Sequence, residues 1–235
     1  MIAKKYEFVS GDVITYQGYE LYRIRALVSL GGGSSSVKAG ALGGYIHSED
    51  NLSHEGQCWV GGEAKACGYS RVTEDAKLYG TACISDHASL SGHARVLGNA
   101  ILFDHALVTD YTVASGNAVM HGRSKLTGNG GISDNVVMED DAHIAGVARV
   151  SGMARLLGTA FIQHNEDVQW YGGVGSEGGV LTAYRCSDQW VWVNRGCFVG
   201  SLSEFKERVI FEHRDNKYGK NYLLLIAAIE QWFCL

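Results

Sequence analysis

A six-residue period runs without interruption from Gly56 to Gln163 and constrains the fold of this 235-residue chain more than any other feature. The segment divides into 18 hexads, whose first position is Gly in 12 and Asp or Glu in the other six. The third position is Ala in 12 hexads, and the fifth is apolar in all 18. With 46% hydrophobic residues in the chain, the fifth-position pattern would arise by chance roughly once in a million trials. A repeated structural unit therefore fills this segment.

Each hexad predicts one short β-strand and one corner. The side chains of positions three and five point to one face of a strand, and those of positions two and four point to the other. Position one is the corner, where glycine adopts φ > 0 without cost and Asp can bond to its own backbone. Three corners close a triangular coil, and six such coils at a spacing of about 4.8 Å make a prism roughly 29 Å long. Residues 18 apart then stack in columns on three outer faces.

The segments outside the repeat predict two smaller units. We expect an N-terminal β cap at residues 1–55, the β-helix at 56–167 and a small α+β domain at 168–235. The cap contains three strand-like runs and a linker-like stretch, Gly31–Ser36, that is either an engineered loop or a natural one. In the last unit, a hairpin and a third strand precede a capping-box helix that begins at Ser201 and a second helix at 218–233. This unit either caps the last coil or binds a partner itself.

The hexads resemble the hexapeptide repeat of left-handed parallel β-helix proteins over all 108 residues. YRIRAL at 22–27, VKAGALGGYI at 37–46 and NLSHEG at 51–56 also resemble a family of phage, prophage and bacterial hexapeptide-repeat proteins of the YdcK type. The resemblance implies a mainly β fold with a left-handed, single-stranded parallel β-helix of about six coils. It also implies a phage or prophage context, but no reaction. A shorter turn joins the first two elements in the relatives, so the chain departs from the pattern at Gly31–Ser36.

Composition narrows the classes of function. With 20 basic and 25 acidic side chains and no basic run, duplex nucleic acid is not an expected partner. No apolar run reaches the length of a membrane span, and no signal peptide is evident, so we expect a cytoplasmic protein. The six cysteines show neither CxxC pairs nor zinc spacing, so we expect neither a disulfide framework nor a metal or other cofactor.

One outer face, here called the Lys77 face, comprises the hexads that begin at 56, 74, 92, 110, 128 and 146. Two cations, Lys77 and Arg95, stack in its position-four column, and Asp75 lies beside them. Cations flanked by aromatic rings suit an anionic ligand with a planar group, such as a nucleotide, because the charges meet phosphate and the rings stack. The alternative is an ordinary solvated face. The predicted ligand-binding residues are Trp59, Lys77, Tyr79, His93, Arg95 and Tyr111.

A second face, the Ile101 face, comprises the hexads that begin at 62, 80, 98, 116, 134 and 152. Its outward side chains include an apolar strip of Ile101, Phe103, Val119 and Val137. An outward apolar strip on a flat sheet usually marks contact with another chain. Because hexapeptide-repeat proteins commonly trimerise, we expect a homotrimer through this strip. The alternative is that the C-terminal domain of the same chain covers it. The asparagine column at positions 99, 117 and 135 is interpreted as a structural ladder.

The third face, the His87 face, stacks Asp86-His87 above Asp104-His105, with Arg123 next in the column. An Asp-oriented histidine can act as a general base, as in the hexapeptide-repeat acyltransferases. Those enzymes generally carry loops that interrupt their coils, whereas the hexads here are uninterrupted, and Asp at position one already has a use at the corner. A paired-histidine metal site lacks a third ligand.

Three functions follow from these patterns. We expect first a non-enzymatic, homotrimeric and phage-encoded binding protein that sequesters a small anionic ligand or a host protein. The alternatives are an acyltransferase that uses His87 or His105 as general base, and a structural spacer.

Overall fold

The computed structural model, which describes residues 3–32 and 36–235, winds the hexads into a parallel β-helix. Each hexad forms one two-residue strand at positions four and five, and strands 18 residues apart pair in parallel: Lys77 lies opposite Trp59 on one side and Arg95 on the other. The predicted columns and faces are therefore confirmed. Residues 33–35 of the predicted linker lie outside the described residues.

Three sheets form the walls of the β-helix, with strands numbered in chain order. The Lys77 face consists of β4 (Trp59–Val60), β7 (Lys77–Leu78), β10 (Arg95–Val96), β13 (Val113–Ala114), β16 (Gly131–Ile132) and β19 (Arg149–Val150). The Ile101 face contains β5 (Lys65–Ala66), β8 (Cys83–Ile84), β11 (Ile101–Leu102), β14 (Val119–Met120), β17 (Val137–Met138) and β20 (Arg155–Leu156). The His87 face consists of β6 (Arg71–Val72), β9 (Ser89–Leu90), β12 (Leu107–Val108), β15 (Lys125–Leu126), β18 (His143–Ile144) and β21 (Phe161–Ile162).

The hexad positions predicted for the interior and for the corners are found there. The side chains of positions three and five fill the core, as Ala100 and Leu102 do with no exposed surface. Position one has φ > 0 in all 18 hexads. The six acidic corners adopt this conformation despite their side chains, with φ between 54° and 60°: Glu74, Asp86, Asp104, Asp110, Asp134 and Asp140.

The N-terminal segment extends the wall of the Ile101 face and begins the β-helix earlier than predicted. A hairpin of β1 (Tyr6–Tyr16) and β2 (Tyr19–Ala26) pairs with β3 (Leu42–Ile46), which pairs in parallel with β5. A 3-10 helix at Glu49–Asn51 follows, and Leu52 bridges to β6. The ladder of β1 and β2 shifts register between Phe8 and Val13 and then resumes, so β1 is one continuous strand through residues 10–11.

The C-terminal segment covers the last coil. After a 3-10 helix at Asn165–Asp167, β22 (Val168–Val174), β23 (Gly179–Arg185), β24 (Val191–Arg195) and β25 (Phe198–Ser201) form an antiparallel sheet in chain order. Helices α1 (Leu202–His213) and α2 (Lys217–Trp232) pack on it. Tyr184 and Cys186 are fully buried within the core of the β-helix. The predicted fold class is confirmed, and the solenoid fits the left-handed β-helix implied by the resemblance.

Candidate functional site

A cavity of about 330 Å³ opens on the Lys77 face near its N-terminal end. Four of the six predicted ligand-binding residues line this cavity, together with five residues that were not among the six. The lining residues are Gly31, Gly32, Gln57, Asp75, Lys77, Tyr79, His93, Arg95 and Leu97. Gln57, Asp75 and His93 occupy position two of consecutive coils, Lys77 and Arg95 position four, and Tyr79 and Leu97 position six. The repeat therefore places all seven in three adjacent columns.

The two cations of the cavity have no carboxylate partner. The half-buried Lys77 ammonium donates a hydrogen bond to the backbone carbonyl of Gln57. Within residues 3–32 and 36–235, neither Lys77 nor Arg95 forms a salt bridge, although Asp75 lines the same cavity. Burial lowers the pKa of Lys77; the neighbouring charges of Lys5 and Arg95 act in the same direction, and Cys58 and Asp75 act against them. An anion bound between Lys77 and Arg95 would offset the effects of burial and of the neighbouring cations.

The carboxylate of Asp75 contacts Gln57 and His93 and not the two cations. Its Oδ1 accepts a hydrogen bond from the backbone N–H of Gln57 at 2.9 Å, and its Oδ2 lies 3.5 Å from Nδ1 of His93. The carboxylate therefore orders the wall of the cavity and forms no salt bridge with Lys77 or Arg95, although its charge partly offsets that of Lys77.

Aromatic rings form the rest of the predicted site. His93 stacks on Tyr111 with ring centroids 4.7 Å apart, so Tyr111 supports the cavity wall without lining it. The ring of Tyr79 lies over Gly61, where an added Cβ would approach its Cε1 to 2.3 Å. A side chain at position 61 would therefore have to displace the ring of Tyr79. Burial raises the pKa of Tyr79.

Trp59 has a different place from the one predicted. The indole is 1% exposed, and the backbone of Gly43 covers it so closely that a Cβ there would lie 2.7 Å from the ring. It lies next to Lys77 in the sheet and supports the cavity from the side. The ring is not open to a ligand, because β3 packs over it.

The first residues of the predicted linker reach the cavity. The backbone N–H of Gly31 donates to the side-chain carbonyl of Gln57 at 2.6 Å, and Leu30 pairs with Val37 to close the loop behind it. Gly31 and Gly32 line one wall. No periodic signal in the sequence connects residue 31 with residue 57, so this part of the site could not be predicted.

The predicted strip on the Ile101 face is partly open. Ile101 is 37% exposed, Val119 and Val137 are half-buried, and Phe103 stacks on His121 with centroids 4.8 Å apart. The C-terminal domain packs on the end of the β-helix at β20 and β21. The asparagine column is hydrogen-bonded along its length, from Asn99 to Asn117 at 2.9 Å and from Asn117 to Asn135 at 3.1 Å.

The stacked histidines of the His87 face form a ring ladder. His87 stacks between Tyr69 and His105, with centroids 5.0 Å apart on each side. Asp86 accepts a hydrogen bond from the backbone N–H of Asp104, and Asp104 accepts one from that of Gly122, 18 residues further on in each case. In the described part of the chain, these carboxylates bond to corner backbone and not to the histidine of their own hexad.

Among the described residues, no group of three or more His, Cys, Asp or Glu side chains is arranged so that it could hold a metal ion. None of the described helices combines the length and the apolar character needed to cross a membrane. A comparison of the sequence with models of known protein families found no match, and neither did a search among curated proteins.

Proposed function

We propose that the chain is a binding protein, not an enzyme, and that it holds a small anionic ligand with a planar group, such as a nucleotide, in the cavity on the Lys77 face. The observation that carries this proposal is the pair of stacked cations, Lys77 and Arg95, in a cavity that also presents the rings of Tyr79 and His93. Charge-assisted hydrogen bonds from both cations suit a phosphate group.

The size and character of the cavity support this class of ligand. Its volume lies near the lower end of the range of about 300 to 1,000 Å³ that is typical of small-molecule sites. Leu97, Tyr79 and the glycine wall offer apolar surface to a planar group, and the cations lie one coil apart. A spacer would not need such a recess. Asp86 and Asp104 accept hydrogen bonds from corner backbone, which accounts for these carboxylates without a role in orienting His87 or His105 as the general base of an acyltransferase.

Titration calorimetry against nucleoside mono-, di- and triphosphates and acyl-coenzyme A tests the proposal. We expect nucleotide binding without turnover in the wild type. The double variant Lys77→Ala/Arg95→Ala should lose affinity by about 100-fold or more, since each hydrogen bond to a charged group contributes about 1.5 to 3 kcal/mol.

Lys125→Ala is the matched control, because Lys125 occupies position four of a hexad on the His87 face and is exposed. It should leave the affinity unchanged. Lys77→Met, which keeps most of the side-chain volume, separates the loss of charge from the loss of packing. If none of these anions binds, the structural spacer is favoured. If acyl transfer from coenzyme A is observed, the acyltransferase is favoured.

We also propose that the chain forms a homotrimer through the strip of Ile101, Phe103, Val119 and Val137. The partial exposure of Ile101 in the middle of a flat sheet supports this assembly. A host protein as the bound partner and a phage or prophage origin stay predictions.

A further inference from the structure

A groove in the C-terminal domain lies between the edge strand β22 and helix α2. Its volume is about 650 Å³, and it shares no lining residue with the cavity on the Lys77 face. One wall is the continuous run Trp170–Gly175. The other is one side of α2, formed by Tyr218, Asn221, Leu224 and Leu225.

The strand wall of the groove is largely backbone. Successive side chains of a strand point to opposite faces, so six consecutive residues can line one groove only through the edge of the strand. Gly172 and Gly173 have no side chains to cover this edge. In the sheet, β22 is the outermost strand, and within residues 3–32 and 36–235 no other strand pairs with its free side. One carbonyl, that of Val174, already accepts a hydrogen bond from Arg195 at 2.6 Å.

This edge has little of the usual protection against another strand. Natural edge strands carry charged side chains or proline, are twisted by a bulge, or are covered by another element. In β22 the pairing with β23 shifts register between Tyr171 and Val174, which is its one irregularity. The sequence of β22, VQWYGGV, contains neither charge nor proline. Across the groove, Leu224 is 72% exposed, which places a large apolar side chain opposite unpaired backbone.

The helix wall adds positive charge. The first turn of α2 has no acidic residue, and the ammonium of Lys217 lies 4.8 Å from the ring centroid of Tyr218, which lines the groove. Lys220 precedes Leu224 by one helical turn, and residues four apart lie on the same side of a helix. A ligand in the groove would meet apolar surface and hydrogen-bonding backbone. The two lysines do not line the groove themselves but are adjacent to its lining residues on α2.

We propose that this groove binds an extended peptide of a partner protein, which adds a strand to β22 and carries acidic residues next to apolar ones. Main-chain hydrogen bonds to β22 provide affinity, and alternate side chains of the peptide pack against Leu224 and Leu225, as in other cases of strand addition. Acidic side chains of the peptide pair with Lys217 and Lys220. The groove is independent of the proposed anion site.

Selection from a displayed library of random peptides of about 10 residues, a length that matches a long strand, tests the proposal on the full chain. The expected peptides alternate apolar residues and include Asp or Glu. Bound to the wild type, they should slow hydrogen exchange of β22 amides. Leu224→Glu should weaken their binding at least about tenfold, because it replaces buried apolar contact with a like charge. Lys217→Glu/Lys220→Glu should also weaken it and should favour basic peptides in a repeated selection.

Phe211→Glu is the control, because Phe211 is a 76% exposed apolar residue of α1 that does not line the groove. It should bind the selected peptides as the wild type does. The proposal is overturned if no peptide is enriched, or if the enriched peptides bind Leu224→Glu equally well. It is also overturned if the wild type self-associates in a way that Leu224→Glu abolishes, since the groove would then hold a second copy of the chain.

Discussion

The acidic corners serve both backbone conformation and hydrogen bonding. In all six, a side-chain carboxylate oxygen accepts a hydrogen bond from the backbone N–H of the corner residue 18 positions later, at 2.8 to 3.3 Å. The left-handed conformation is unfavourable for a residue with a Cβ. Asp and Glu thus offset that strain by a bond between coils that glycine cannot make. The repeat predicts the corners and a bond from Asp to its own backbone, whereas in the structure the bond joins successive coils.

Replacing one corner carboxylate separates these two contributions. Asp134 has φ 59° and accepts from Gly152 at 2.9 Å. Asp134→Ala should lower the free energy of unfolding by about 1 to 3 kcal/mol, because it loses the bond and keeps the strain. Asp134→Gly should lower it less, since the strain is relieved. Urea denaturation measures both variants, and equal effects would show that the strain contributes nothing.

The lowered pKa of Lys77 predicts how the proposed site responds to pH. As pH rises through that pKa, which lies below the ordinary value of 10.5, the ammonium loses its charge and anion affinity should fall. Calorimetry from neutral pH to about pH 10 measures this fall. In Lys77→Arg the guanidinium stays protonated, so the affinity should persist to higher pH. An identical pH profile in both proteins would contradict the assignment of Lys77 to the site.

The same pKa has the opposite consequence for folding. Between the folded pKa of Lys77 and 10.5, the unfolded chain binds more protons at this side chain than the folded chain does. The free energy of unfolding therefore gains from this residue as pH rises through that window. Burial of the Lys77 ammonium thus opposes folding at neutral pH.

At the scale of elements, the flat Ile101 face predicts assembly. The Ile101 side chain lies in the central part of a nine-stranded sheet and is 37% exposed. Ile101→Asp should convert the proposed trimer to monomers, because association would bury carboxylates without partners. Sedimentation equilibrium measures the mass.

Leu107→Asp is the matched control for this variant. Leu107 occupies the same position of the next hexad, is half-buried, and lies on the His87 face. The Leu107→Asp variant should disturb a strand to a similar degree as Ile101→Asp and should leave the proposed trimer intact. A monomeric wild type, or the same loss of association in both variants, would rule out the strip as the interface.

Elements outside the repeat were predicted unevenly. Both helices begin within one residue of their predicted starts, because the capping box at Ser201 and the apolar periodicity of α2 are local signals. Strand β22 was not predicted, because Gly172 and Gly173 interrupt the apolar alternation of its sequence and because it follows the last hexads of the β-helix with only a short connection. Its strand conformation depends on pairing with β23, which lies later in the chain.

At the scale of the whole molecule, covered ends complete the β-helix. An open coil would expose unpaired backbone and an apolar core. The β1–β2 hairpin continues the wall of the Ile101 face at one end, and β23 closes the other, where Ala160 bridges to Cys186. Tyr184 fills the end of the core. The C-terminal domain was expected either to cap the last coil or to bind a partner. It caps the last coil, and its groove is available for a partner.

The hexad sequence alone determined the coil, the direction of each side chain and the columns that contain Lys77 and Arg95, because each corner and each strand is specified by residues within the same six. Only the tertiary structure decided which outward positions are open. Gly43 buries Trp59, Gly31 forms a wall of the cavity beside Gln57, and α2 faces the edge of β22. These arrangements depend on packing between segments distant in sequence, for which no local period exists.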